Sequence, residues 1–202
     1  MKNYVLYLAI SIGFLTNAAF AVDATEVERM VPYYQKADIN ASAYTKVLIA
    51  PLGVSATFVL APPWVSSDER STQKWALTAE DKKWLKNTYQ KAISAEISQK
   101  YEIVDEPGEG VLIVRVELIS LMPFARKGED VQTQGFGIVV AQAQLRDGGN
   151  GELLAIYEGP QRVGNQYQQN TRLNSENSLN ILFEIWGARL RMYMENYGDQ
   201  SR

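Results

Sequence analysis

The sequence predicts an α+β fold: a two-layer sandwich whose mixed, mainly antiparallel sheet of about five strands carries two helices on one face. Three observations carry that prediction. Residues 139–158, VVAQAQLRDGGNGELLAIYE, alternate in character on both sides of a Gly/Asn-rich turn, the pattern of a β-hairpin. Val111 to Leu121 is the longest further stretch with the same period of two. Two other stretches, about 79–99 and 176–196, repeat their apolar residues at helical spacing instead.

The chain opens Met-Lys, runs apolar from Tyr4 to Leu15, and reaches Thr16-Asn17-Ala18-Ala19-Phe20-Ala21. A charged start, an apolar run and small residues at Ala19 and Ala21 read as a secretory signal over 1–21, cleaved before Val22. The apolar run is too short for a good membrane span. The mature chain is therefore expected to be secreted. Residues 22–40 read as a loose N-terminal arm, with a helical turn over Thr25–Met30 and with Tyr33 and Tyr34 docked on the body. A single α+β domain is expected over 41–197.

Lys46-Val47-Leu48-Ile49-Ala50 is a short, nearly continuous apolar strand stopped by Pro51, as in a strand covered on both faces or central in a sheet. Thr57-Phe58-Val59-Leu60 reads as a further strand segment, followed by a long loop through Pro62-Pro63. Trp64 and Trp75 bracket that loop. Each either pins it to the core or forms an exposed aromatic rim for binding. Thr78 is the expected N-cap of the first helix, with Glu80 and Asp81 in its first turn. Leu85, Tyr89, Ala92, Ile93 and Ile97 form its apolar stripe.

Tyr101 to Asp105 is a short strand. In the long strand that follows, Leu112, Val114, Val116 and Leu118 share one face, which belongs under the helices. Arg115 and Glu117 stand on the other face, two residues apart. Pro123 to Gly135 reads as a polar connection. In the hairpin, Val139, Ala141, Ala143 and Leu145 point inward, while Gln142, Gln144 and Arg146 join Arg115 and Glu117 outside. Asp147-Gly148-Gly149-Asn150-Gly151 reverses the chain, and Asp147 reads as a turn residue rather than a ligand. After Gly159-Pro160 a polar stretch leads to a helix capped by Asn174 or Ser175. Its stripe is Leu179, Leu182, Phe183, Trp186, Leu190, Tyr193 and Met194, broadened by Ile181 and Ile185.

Composition narrows the chemistry. There is no histidine, so His-based acid/base catalysis, Ser-His-Asp and Cys-His nucleophile systems and the usual zinc sites are excluded. There is no cysteine, so no disulfide and no lipid attached through a signal-peptide cysteine. A formal net charge of −3 without a basic run gives no footprint for nucleic acid or anionic lipid. No cofactor or metal motif stands out, and no catalytic residue is assigned. The balance leans away from an enzyme.

Three stretches resemble a known family: Tyr44-Thr45-Lys46-Val47-Leu48-Ile49-Ala50-Pro51; Tyr101-Glu102-Ile103-Val104-Asp105-Glu106-Pro107-Gly108; and Leu145-Arg146-Asp147 followed by Gly151-Glu152-Leu153-Leu154. Their order and spacing resemble DUF3313, over roughly residues 38–196. The resemblance implies a bacterial envelope protein, in a family of mostly small lipoproteins without an assigned function or catalytic residues. The absence of the lipidated cysteine sets this chain apart from that pattern and favours a free periplasmic protein.

The function expected is non-enzymatic: a binding or envelope-associated accessory module for an envelope protein or cell-wall component. Its candidate binding residues are Trp64, Trp75, Arg115, Glu117, Gln142, Gln144 and Arg146. One alternative is a carboxylate-based glycan hydrolase using two acids among Glu117, Asp147, Glu152 and Glu158. The other is a self-associating structural subunit, such as a homodimer, whose hairpin edge pairs with a second copy.

Overall fold

The computed structural model describes residues 31–70 and 75–196. The expected signal segment, the turn at 25–30 and the tail from Gly198 lie outside the described residues. The strands are β1 (Val31–Gln35), β2 (Lys46–Ile49), β3 (Phe58–Val59), β4 (Glu102–Ile103), β5 (Val111–Pro123), β6 (Gln132–Gln134), β7 (Gly137–Asp147), β8 (Leu153–Val163) and β9 (Tyr167–Gln169). Helix α1 spans Ala79–Ile97 and α2 spans Arg172–Asn196.

The main sheet has seven strands rather than about five, in the order β1-β8-β7-β5-β2-β4, with β3 also paired to β5. Its long members β5, β7 and β8 run antiparallel. The β2 strand is parallel to both β4 and β5, as expected of a strand joined to its neighbour through a helix. β6 and β9 form a separate two-stranded sheet.

Alternation fixes the inner face. Leu112, Val114, Val116 and Leu118 of β5 and Val139, Ala141 and Leu145 of β7 are buried. The helices cover them with Leu85, Tyr89, Ala92, Ile93 and Ile97 from α1 and with Leu179, Leu182, Phe183, Trp186 and Met194 from α2. Tyr89 and Phe183 meet edge to face, 5.5 Å between ring centres. The Thr78 side chain accepts the Asp81 N–H, and the Asp81 carboxylate accepts the Thr78 N–H in return, a reciprocal capping box.

Several expectations need correcting. The supposed loose arm contains β1, which pairs with Ala155–Glu158 of β8. Its tyrosines do not dock: Tyr33 is 79% exposed and Tyr34 42%. β8 continues past Pro160 to Val163, because beyond Glu158 no strand pairs with its outer side among the described residues. A residue without an N–H is tolerated at such an edge. The two polar stretches thought to be plain connections pair with each other as β6 and β9. Gly135 and Gly164, both at positive φ, allow this close approach. A Cβ at Gly135 would collide with the Val163 and Gly164 carbonyl oxygens. Helix α2 starts earlier than expected, with Thr171 as its cap: the Thr171 hydroxyl accepts the Asn174 N–H at 3.2 Å. Ile181 faces solvent instead of widening the apolar stripe. A register shift between Leu145 and Arg146 turns Leu154 inward together with Ala155.

Candidate functional site

The sheet face opposite the helices is open, and it holds most of the candidate residues. Register places Arg115 beside Gln144 and Glu117 beside Gln142 across β5 and β7, with Gln142 beside Glu158 on β8. A chain of side-chain hydrogen bonds crosses the hairpin. Arg146 donates to Gln144 Oε1 at 3.5 Å, Gln144 donates to Gln142 Oε1 at 3.0 Å, and Gln142 donates to Glu158 Oε2 at 2.8 Å. Arg146 also donates to the Gly151 carbonyl at 3.0 Å, which ties the row to the turn. Each amide is oriented by its neighbours, so the row presents a fixed order of donors and acceptors. Arg115 and Glu117 stand exposed beside it. The Glu117 side chain lies across Gly53, whose backbone bridges to the Glu117 backbone; a side chain on residue 53 would occupy the carboxylate's place.

The two tryptophans separate. Trp75 is 4% exposed and buried, so it pins its segment and has no place in an exposed rim. Trp64 is 66% exposed and rests tilted on Phe124 at 5.9 Å. Arg162 lies over the other partner of that pair, 5.4 Å from the Phe124 ring centre. β3 pairs with β5 so that Phe58 sits beside Ser120 on the open face, while Val59 sits beside the buried Leu121. Phe58 and Leu60 are exposed large apolar side chains, as Trp64 is. The open face therefore has a polar centre and an aromatic end. Sequence reasoning missed Phe58, Leu60, Phe124 and Arg162. The alternation in Thr57-Phe58-Val59-Leu60 was a usable signal, since one member of each pair had to face away from the core.

The hairpin turn is a structural joint. Tyr44 donates its hydroxyl to Asp147 Oδ2 at 2.8 Å, while the Gly149 and Asn150 N–H groups donate to Asp147 Oδ1 at 2.8 and 2.9 Å. Desolvation works against the charge on Asp147, but the Tyr44 bond and the two turn N–H groups outweigh it and hold the carboxyl below its ordinary value. The Tyr44 hydroxyl is pushed well up, by burial first and by the bond to Asp147 second. Lys36 bonds both carboxylate oxygens of Glu152 at 2.7 Å, fastening the segment after β1 to the same turn. Among the described residues, no group of three or more Asp or Glu side chains is placed to hold a metal ion. No described helix is long and apolar enough to cross a membrane.

Architecture and face together define a class: a two-layer α+β domain with both helices on one side of the sheet and an uncovered, polar-and-aromatic face on the other. The model of DUF3313, described as a protein of unknown function, matches residues 13–190, and the chain belongs to this family. No curated protein matches the chain. Solved structures with a similar chain path include a DUF330 protein from Xanthomonas campestris, with 7% identity and a TM-score of 0.45, covering 85% of this chain and 96% of the other. The PelC dodecamer from Paraburkholderia phytofirmans is similar at 9% identity and a TM-score of 0.37, covering 80% and 96%. A neuraminyllactose-binding hemagglutinin homolog from Helicobacter pylori is similar at 10% identity and a TM-score of 0.36, covering 86% and 98%.

Proposed function

We propose that this chain is a non-enzymatic binding module, exported to the periplasm, that holds an envelope protein or cell-wall component on its open sheet face. One observation carries the reading. The ordered row of Arg146, Gln144, Gln142 and Glu158 adjoins the aromatic end formed by Phe58, Leu60 and Trp64, and no described element covers either part. Aromatic anchors beside ordered polar groups suit a recognition surface. Export rests on the pattern of residues 1–21, and the free state in the periplasm on the absence of cysteine.

Of the four acids of the hydrolase alternative, the geometry ties up two. Asp147 and Glu152 are engaged with the turn and with Lys36, and Asp147 is held below its ordinary pKa, opposite to what a general acid needs. β5 and β1 already flank the hairpin up to Glu158, so edge pairing with a second copy has only the outer side of β8 beyond Glu158 left to it among the described residues. Self-association retains one specific basis on the open face. Arg115 and Glu117 carry opposite charges two residues apart, so a two-fold contact would set each against the other.

The test is capture from a periplasmic extract by the full chain, an Arg115→Ala/Gln144→Ala variant and a Trp64→Ala variant. The expected result is a defined partner held by the native chain and lost from both variants. Equal capture by all three would sink the assignment to this face. Sedimentation of the native chain checks the second reading: a monomer at high concentration removes it.

A further inference from the structure

A second site lies on the opposite side of the sheet, where the helix layer stops short of the β3 and β5 ends. A cleft of about 380 Å³ opens there between the first turns of α1 and α2. It lies in the size range of small-molecule sites. Its walls are apolar and aromatic: Trp75, Trp84, Leu121, Ala125 and Phe136 among them.

The polar groups are gathered at one end. Lys127 Nζ and Arg172 Nη1 lie 2.9 and 3.3 Å from the same oxygen of Asp81. Two cations thus share one carboxylate oxygen at the rim. Glu80 stands 3.7 Å from Arg172 on the outer side, and with Glu80 80% and Lys127 66% exposed, solvent screens both of these charges more than that of Arg172. Arg172 is braced over the Trp84 ring at 4.5 Å. The neighbouring polar groups are already engaged: Asn170 donates to the Arg126 and Glu129 carbonyls, and Ser175 to the Thr171 carbonyl. What remains for a ligand is the two cations at one end and an oily pocket behind them.

We propose that this cleft binds a small amphiphilic acid, an apolar body with one carboxylate whose charge meets Lys127 and Arg172. Such an acid has two sources, a lipid-derived acyl chain or a soluble aromatic acid. The proposal is independent of the binding reading of the open face, since the two surfaces lie on opposite sides of the sheet.

The experiment titrates the folded full chain with decanoate and with 3-phenylpropionate, read by calorimetry and by tryptophan fluorescence. Decanol is the uncharged control. Saturable binding of an acid is expected, at least about tenfold tighter than decanol. Lys127→Gln, at an exposed side chain, weakens it about tenfold, and Asp81→Asn, which frees both cations, tightens it severalfold. Ala125→Phe fills the cleft and abolishes binding, with circular dichroism to confirm its fold. Arg115→Ala/Gln144→Ala leaves binding unchanged. Tighter decanoate assigns the acyl chain, and tighter phenylpropionate the aromatic acid. Three results overturn the proposal: no saturable binding of either acid, decanol binding as tightly as decanoate, or affinity unaltered by Lys127→Gln and Ala125→Phe alike.

Discussion

Removing the Asp147 carboxylate tests whether the hairpin turn is a structural joint. In Asp147→Ala the Tyr44 hydroxyl, on a residue only 8% exposed, loses its acceptor 2.8 Å away. A buried hydroxyl without a partner costs about 1–3 kcal/mol. The Gly149 and Asn150 N–H groups also lose their acceptor, but they are exposed and water replaces it at small cost. The carboxylate itself sits near solvent, so the lower part of the range applies, and a loss of about 1.5 kcal/mol is expected. Tyr44→Phe removes hydroxyl and desolvation together and costs about 1 kcal/mol. The double variant should cost about as much as Asp147→Ala alone, a coupling of about 1 kcal/mol.

Acid gives the independent check. Asp147 is held below its ordinary 3.8 in the folded chain. A carboxylate lowered on folding contributes stability above its unfolded pKa and loses it as pH falls through the folded value. The difference between the native chain and Asp147→Ala should therefore be full at neutral pH and shrink progressively below about pH 5. Urea denaturation followed by tryptophan fluorescence and circular dichroism measures both quantities, with a constant denaturant slope as the control. A coupling below about 0.3 kcal/mol, or a difference that holds or grows in acid, would refute the joint.

Tyr89→Phe should leave the melting temperature unchanged or raise it, by up to about 1 kcal/mol of stability, because the fully buried hydroxyl has no partner among the described residues. A clear loss in thermal denaturation would show that the hydroxyl is satisfied. Gly151→Ala places a side chain at positive φ in open space and should cost about 1–2 kcal/mol, whereas Gly135→Ala adds collision with two carbonyl oxygens and should cost about 3–4 kcal/mol; equal urea midpoints would contradict this. Asp81 loses charge stability to burial, but its bonds from Thr78 and Lys127 hold it below 3.8. Asp81→Asn should thus cost about 1 kcal/mol near neutrality and progressively less below about pH 5, as measured by urea denaturation across pH.

Both helices, the hairpin and the inner face of β5 were legible because each writes its burial into a local period. Leu85-Tyr89-Ala92 and Leu112-Val114-Val116 need no distant partner to be recognised. β1 was not legible: Val31-Pro32-Tyr33-Tyr34 shows no alternation, and only its pairing with β8 makes it a strand. β6 and β9 are three residues each and polar, so their signal lies in two glycines far apart in sequence. The polar centre of the candidate face was readable residue by residue, because Arg115, Glu117, Gln142, Gln144 and Arg146 all fall on the outward phase. The aromatic end was not, since its position depends on β3 returning to the same edge of β5 that β2 occupies. Trp75 and Trp64 had equal local context, and tertiary packing alone divides them.

The pairing of β3 with β5 also separates the two proposed sites. Val59 and Leu121 point toward the helices and line the cleft, whereas their neighbours Phe58 and Ser120 lie on the open face. A strand has only these two phases, so one residue of slip would exchange the surfaces and place Phe58 in the cleft. The pairing is short, but Leu60 N–H donates to the Leu121 carbonyl at 2.8 Å and the Thr57 hydroxyl to the Leu118 carbonyl at 2.7 Å. The Gly53 N–H adds a third tie, to the Val116 carbonyl at 2.8 Å. These bonds bracket the two paired residues from both ends. They hold the phase that keeps the aromatic end of the binding face and the oily wall of the cleft on opposite sides of one strand.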